Sequence, residues 1–169
     1  MPDKKTLQRA RRDKEEGKAS STQAGEFIRE EFHHIRKGKH GARSPQQAIA
    51  IGLSKARRAG VDLKPPEPGE QSESTRHKAE QDYARGRGAP RTRRATTKRR
   101  TVSARALKRE SHGSASRSAI GAQAHRSATR RSGTQRSAAA KHAARTKGPQ
   151  GRRAAARKAA RTRAARSRS

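Results

Sequence analysis

The side chains with the clearest chemical capacity are the arginines and lysines in the second half of the chain. Between Tyr83 and Ser169 the sequence places 27 Lys and Arg residues against a single acid, Glu110. Cations at this density bind phosphates through charge-assisted hydrogen bonds and release counterions, so their binding to a polyanion is strong, salt-sensitive and largely independent of base sequence. We therefore expect nucleic acid as the partner. The residues predicted to contact it are Arg91, Arg93, Arg94, Lys98, Arg99, Arg100, Arg130, Arg131, Arg152, Arg153, Arg157, Lys158, Arg161, Arg163 and Arg166.

The positive charge alone does not distinguish DNA from RNA as the partner. Arg outnumbers Lys by 31 to 14, and Arg suits both narrow minor grooves of DNA and unpaired RNA bases. Proteins that bind single strands use aromatic platforms, whereas this chain has only Phe27, Phe32 and Tyr83, and we expect both Phe residues in the core. This favours nonspecific coating or condensation of duplex DNA. The alternatives are an RNA- or ribosome-associated protein, and a protein-interaction module that the basic tail merely localises.

A second candidate site is the loop of residues 38–43. Its backbone amides precede a helix capped by Ser44 and stand beside Lys39, His40 and Arg43, which is the composition of a phosphate seat. The alternative is an ordinary turn between two helices, with solvated charges. A helix-turn-helix has a shorter turn than this one, so base-specific reading is not predicted.

Metal and catalytic sites are not predicted. Glu30-x-x-His33 and Glu31-x-x-His34 have the spacing of carboxylate-bridged metal helices, but such sites need a second helix of the same kind. We interpret these four residues as surface charges. A chain so poor in apolar residues offers no pocket for a small-molecule substrate, so we expect no enzyme activity and no cofactor.

The elements that position these residues are helical. Ala24, Phe27, Ile28, Phe32 and Ile35 follow the period of one helix, after a cap at Ser20 or Ser21. A second helix begins at the Ser44-Pro45-Gln46-Gln47 capping sequence and ends at Gly60, with Val61 packing back in a Schellman motif. The pair predicts an antiparallel hairpin. Because two helices bury little surface, either a weak first helix over residues 3–16 packs on them or the module forms a homodimer.

The predicted fold class is thus a small all-α module at residues 4–63 followed by a long disordered basic tail. Ten of the fifteen large apolar residues lie between Leu7 and Leu63. Residues 64–75 form a Pro-rich linker, residues 76–110 a basic region with marginal short helices, and residues 111–169 an Arg-, Ala- and Ser-rich tail too polar to fold unaided. Within it, residues 152–166 are predicted to become helical on a phosphate lattice. The sequence holds no cysteine, no signal-peptide pattern and no membrane-length apolar run, which favours a cytoplasmic, nucleoid-associated protein without membrane binding.

Three stretches resemble a known family. STQAGEF at 21–27, GKHGARS at 38–44 and QAIAIGLSKARRAG at 47–60 are similar to a family of small basic proteobacterial proteins that pair this helical module with a basic, Ala-rich tail. The resemblance implies a bacterial origin and a recurring module, without an activity, substrate or site. The tail separately resembles the C-terminal arms of bacterial histone H1-like nucleoid proteins, although it uses Arg and Ser where those arms use Lys, Ala and Pro.

Overall fold

About three quarters of the described residues lie in helices. A computed structural model describes residues 2–90 and 97–166, with only the backbone given at 97–100. Within these ranges there are seven α-helices and one 3₁₀ turn. They are α1 (Lys4–Glu15), α2 (Ser20–Arg36), α3 (Pro45–Arg58), α4 (Glu73–Gly86), α5 (Thr97–Arg109), the 3₁₀ turn Gly113–Ala115, α6 (Arg117–Thr129) and α7 (Gly133–Arg166).

Helices α2 and α3 form the centre of the fold. The predicted apolar stripe of α2 is confirmed, since Phe27 and Ile35 are fully buried and Phe32 nearly so. On α3 the facing positions are small, and Gly52 lies so close to α2 that a Cβ there would come within 2.8 Å of the Ile28 Cα atom. Close backbone approach lets the large α2 side chains fill the seam, which is why a Gly is tolerated within α3 despite its poor helix propensity.

Local end signals define α3 as the sequence predicts. The Ser44 hydroxyl accepts a hydrogen bond from the backbone amide of Gln47 at 3.2 Å, and Pro45 occupies the first turn. At the other end Gly60 has φ +87°, and the Val61 amide donates to the Ala56 carbonyl at 3.1 Å, completing the Schellman motif. The predicted cap of α2 is wrong, because Ala19 is its N-cap and no side chain caps that end.

Elements outside the hairpin add to its core. Ala10 of α1 joins Phe27 and Val61 in one apolar cluster, while Ala115 of the 3₁₀ turn joins Phe32 and Ile35 in another. Helix α4 packs on α3 and buries Ala79. The Pro-rich segment before α4 therefore leads the chain back to the hairpin, so the packed unit extends well beyond residue 63.

The prediction of a long disordered tail is wrong. Residues 117–129 and 133–166 are helical, so the fold is not a small module followed by a long disordered segment. Helix α7 has no buried residue, yet 12 of its 34 residues are Ala and 11 are Lys or Arg, all strong helix formers. The prediction gave too much weight to charge repulsion and missing burial, and too little to this local propensity. Residues 152–166 are likewise helical in the chain alone, not only on a phosphate lattice.

The chain divides into two compact units, Met1–Gln123 and Ala124–Ser169. The first contains the hairpin, its flanking helices and both apolar clusters. The second contains the end of α6 and all of α7, which breaks at Gly148 (φ 64°, ψ 177°) before Pro149. None of the described helices has an apolar stretch that could cross a membrane.

Candidate functional site

The predicted phosphate-binding residues fall in two groups. Arg91, Arg93 and Arg94 lie outside the described residues, and Lys98, Arg99 and Arg100 belong to α5 at positions where side chains are not described. The other nine lie between residues 130 and 166 on α7 or just before it. Residues 130–166 carry thirteen Lys and Arg residues in total, and every one of them is exposed.

Helix geometry sorts the cations of residues 149–166 into two faces. At about 100° per residue, Arg153, Arg157 and Arg161 lie within about 80° of one another; we call them the first cationic face. Arg152, Arg163 and Arg166 lie on the opposite side, and Lys158 lies between the two sides, about 60° from Arg161. Lys158, Arg163 and Arg166 line a shallow surface depression together with Ala155, Ala159 and Thr162. We call this the second cationic face. Its small alanines leave room for a phosphate backbone to approach between the longer cationic side chains.

The second unit contains no acid that could neutralise these charges. Residues 124–169 include no Asp or Glu, so no acidic side chain within the unit can neutralise its guanidinium and ammonium groups. In the first unit, by contrast, many cations are paired, as in Lys18–Asp13 at 2.8 Å and Arg76–Glu73 at 2.9 Å. Helix α7 therefore carries a dense set of exposed cations with no acidic side chain in its own unit.

The loop of residues 38–43 is tied into the fold. The Gly41 amide donates to the Leu107 carbonyl at 2.8 Å, the Ala42 amide to the Ser111 carbonyl at 3.1 Å, and the Arg43 amide to Gln47 Oε1 at 2.7 Å. Amide donors that a phosphate seat would use are thus already engaged. The seat at Lys39, His40, Arg43 and Ser44 stays a prediction, and the function proposed below does not include it.

The aromatic side chains are also engaged. Both Phe residues are in the core, as predicted. The Tyr83 hydroxyl donates to Asp62 Oδ1 at 2.6 Å, and the Arg87 guanidinium lies 4.1 Å from the centre of the Tyr83 ring. No aromatic side chain in the described ranges is left as a free stacking platform for an unpaired base.

A buried cluster of ionisable groups lies where α2 meets the chain's N-terminal segment. The interpretation of Glu30, Glu31 and His34 as surface charges is wrong, because they are 4%, 1% and 7% exposed. His34 Nε2 lies 3.3 Å from Asp3 Oδ2 and 3.7 Å from Glu30 Oε1. The Asp3 amide donates to the same Glu30 oxygen at 3.0 Å. Asp3, before α1, thereby joins two residues of α2.

The cluster extends toward the 38–43 loop through Glu31. His40 Nε2 lies 3.0 Å from Glu31 Oε1, and Lys55 Nζ lies 2.5 Å from Glu31 Oε2. The rings of His34 and His40 meet edge to face with centroids 6.3 Å apart. Four separate segments therefore meet in one polar cluster: the N-terminal segment, α2, the loop and α3.

Two nearby groups have shifted pKa values. The hydrogen bond with His34 lowers the pKa of the Asp3 carboxyl below its ordinary 3.8. His33 points outward, and repulsion from Lys37 lowers the pKa of its imidazole below 6.5. Adjacent histidines thus differ completely in environment, because successive residues of a helix point about 100° apart.

The sequence contained one signal for this cluster, the double Glu-x-x-His pattern. That pattern could not reveal Asp3 and His40 as neighbours, because they lie outside α2 and reach it only through the packing of α1 and the turn after α2. Lys55 belongs to the α3 pattern and was not singled out.

Comparison of the chain with protein-family models, with curated proteins and with solved structures finds no match. The resemblances to a small basic proteobacterial family and to histone H1-like arms therefore stay predictions.

Proposed function

We propose that the protein binds nucleic acid without base specificity, and that helix α7 is the binding element. The observation that carries this proposal is the charge of residues 130–166: thirteen exposed cations and no acid. A helix with this surface is attracted to any dense array of phosphates, and its affinity arises mainly from counterion release. Duplex DNA is the favoured polymer because free aromatic platforms are lacking among the described residues.

The two cationic faces support bridging of duplexes. A helix that binds along one duplex turns only one side toward it. The first cationic face can contact one phosphate backbone while the second cationic face remains available for another. We therefore propose that α7 condenses DNA by joining neighbouring duplexes, which fits the predicted histone-like, nucleoid-associated role.

Two variants of the full chain test this proposal. The first replaces Arg153, Arg157 and Arg161 by Gln, and the second replaces Lys158, Arg163 and Arg166 by Gln. A matched control removes three exposed cations of α1, with Lys5, Arg11 and Lys14 replaced by Gln. All three variants lose the same net charge.

Each α7 variant should still bind a single duplex, but its affinity should depend less steeply on salt. The slope of log K against log salt becomes less negative by about 0.9 for each phosphate contact that is lost. Bridging, measured as energy transfer between donor- and acceptor-labelled duplexes, should be lost in both α7 variants and kept in the control. Equal losses in the control and the α7 variants would show that only net charge matters and would overturn the assignment to α7. If the protein binds structured RNA more tightly than duplex DNA, RNA is the partner and the assignment to DNA is wrong.

A further inference from the structure

The buried cluster around His34 has the composition of a metal site. Glu31, His34 and His40 form one set whose ligand atoms all lie within 4.8 Å of one another, and Asp3, Glu30 and His34 form another. His34 belongs to both sets. Imidazole and carboxylate together are the ligands of divalent first-row transition metals such as Zn²⁺, Fe²⁺ and Mn²⁺.

The distances suit a shared ion. Ligand atoms that are each about 2.0–2.2 Å from one metal lie roughly 3–3.6 Å from one another in tetrahedral or octahedral geometry. The separations from His34 Nε2 to Asp3 Oδ2 and Glu30 Oε1 are 3.3 and 3.7 Å. Small side-chain movements would place these atoms around an ion.

The second observation is an unsatisfied carboxylate oxygen. The Glu30 side chain is 2% exposed, and its Oε2 atom finds no hydrogen-bond donor in the part of the chain that the structure describes. A buried carboxylate oxygen without a partner is costly to the folded state. Coordination of a cation removes that cost. Glu31 Oε2 also has no hydrogen bond, although Lys55 Nζ is close enough to form an ion pair with it.

Charge balance points the same way. Asp3, Glu30 and Glu31 bring three carboxyl groups together, and among the described residues Lys55 is the Lys or Arg side chain that forms an ion pair with one of them, Glu31; Lys39 acts on Asp3 only at longer range. The cluster therefore holds more carboxyl groups than Lys or Arg partners, inside a protein of net charge +31. A divalent cation compensates for this excess, while Asp3, about half exposed, provides an entry path from solvent.

From these observations we infer that the cluster binds one divalent transition-metal ion, with His34 as the shared ligand and carboxylates of α2 and the N-terminal segment beside it. The ion would hold the N-terminal segment to α2. This inference does not depend on nucleic-acid binding.

The experiment uses the full chain, stripped of metal with a chelator and titrated with Zn²⁺ in a calorimeter. We expect saturable binding of one ion per chain. His34→Gln should weaken binding by on the order of 100-fold or more, since even the loss of a residue that only orients a ligand costs about 10–100-fold. His33→Gln, the exposed neighbour, should bind as the wild type does. Thermal unfolding of the metal-free variants verifies that both are folded.

Histidine ring signals in the NMR spectrum of the wild-type chain provide a measurement that needs no variant. Of the seven histidines, Zn²⁺ should shift the His34 signal at one equivalent. Three outcomes would overturn the inference: no saturable binding, equal affinity of His34→Gln and His33→Gln, or shifts confined to exposed histidines such as His77 and His142.

Discussion

The close approach of α2 and α3 at Gly52 makes a prediction about stability. A Cβ atom at this position would lie 2.8 Å from the Ile28 Cα, 2.9 Å from its Cγ1 and 3.0 Å from its amide nitrogen. Two of these three atoms belong to the backbone, so a rotamer change cannot relieve the contact and the helices must move apart. Overpacking of this kind costs about 1–3 kcal/mol, and the backbone contacts place Gly52→Ala near the upper value.

Helix propensity opposes this cost. Replacing Gly by Ala within a helix stabilises it by about 1 kcal/mol, so Gly52→Ala should destabilise the fold by about 2 kcal/mol. Gly25→Ala is the matched control, because Gly25 lies within α2 and its Cβ would meet nothing within 4 Å. This control should gain about 1 kcal/mol. With about 4 °C per kcal/mol for a unit of this size, Tm should fall by about 8 °C in the first variant and rise by about 4 °C in the second.

The assay is thermal unfolding followed by calorimetry and by NMR of the Ile and Leu methyl groups of the core, because α7 adds its own helical signal to circular dichroism. Opposite signs for the two variants are the predicted result. If Gly52→Ala raises Tm as much as Gly25→Ala does, the hairpin seam is looser than described and the reasoning fails.

Three further predictions concern local contacts. Ser44→Ala should cost about 1 kcal/mol through loss of its cap, whereas Ser20→Ala should leave Tm nearly unchanged because no side chain caps α2. Gly86→Ala should release α4 from α3, seen as faster hydrogen exchange in α4, because its Cβ would overlap an α3 carbonyl; unchanged exchange would contradict that packing. Asp3 has a lowered pKa, so its contribution is present above pH 3.8 and is lost as the pH falls below it. Metal-free Asp3→Asn should therefore lose less Tm than the wild type between pH 5 and pH 2.5, the interval chosen for the scan, and parallel curves would refute this.

Local sequence signals were sufficient for the hairpin. The Ser44 cap, the Gly60 and Val61 ending and the apolar stripe of α2 each depend on residues within a few positions of one another, and the structure has them as predicted. The predicted N-cap of α2 is wrong. Ser20 and Ser21 both fit the local preference for a capping residue, but Ala19 occupies the N-cap position and Ser20 is already the first residue of the helix.

Features that depend on distant packing were not predictable in this way. Helix α4 looked marginal alone, yet it is stabilised by burying Ala79 against α3. The cluster around His34 needs Asp3 and His40, which no spacing rule connects to α2.

The cationic residues of α7 were identified by composition alone, but their helical arrangement, and hence the two faces, required the helix propensity of Ala and Arg to outweigh charge repulsion.

The most direct test of nucleic-acid binding is the salt dependence of the full chain's affinity for a duplex DNA of mixed sequence, with a matched structured RNA in parallel. Because a helix turns about half of its side chains toward one duplex, roughly six of the thirteen cations of residues 130–166 should contact phosphates. The slope of log K against log salt should then be near −5 to −6, a loss of at least about 10³ in affinity between about 50 and 200 mM salt. A shallow slope, or affinity that depends on base sequence at high salt, would contradict nonspecific binding through α7.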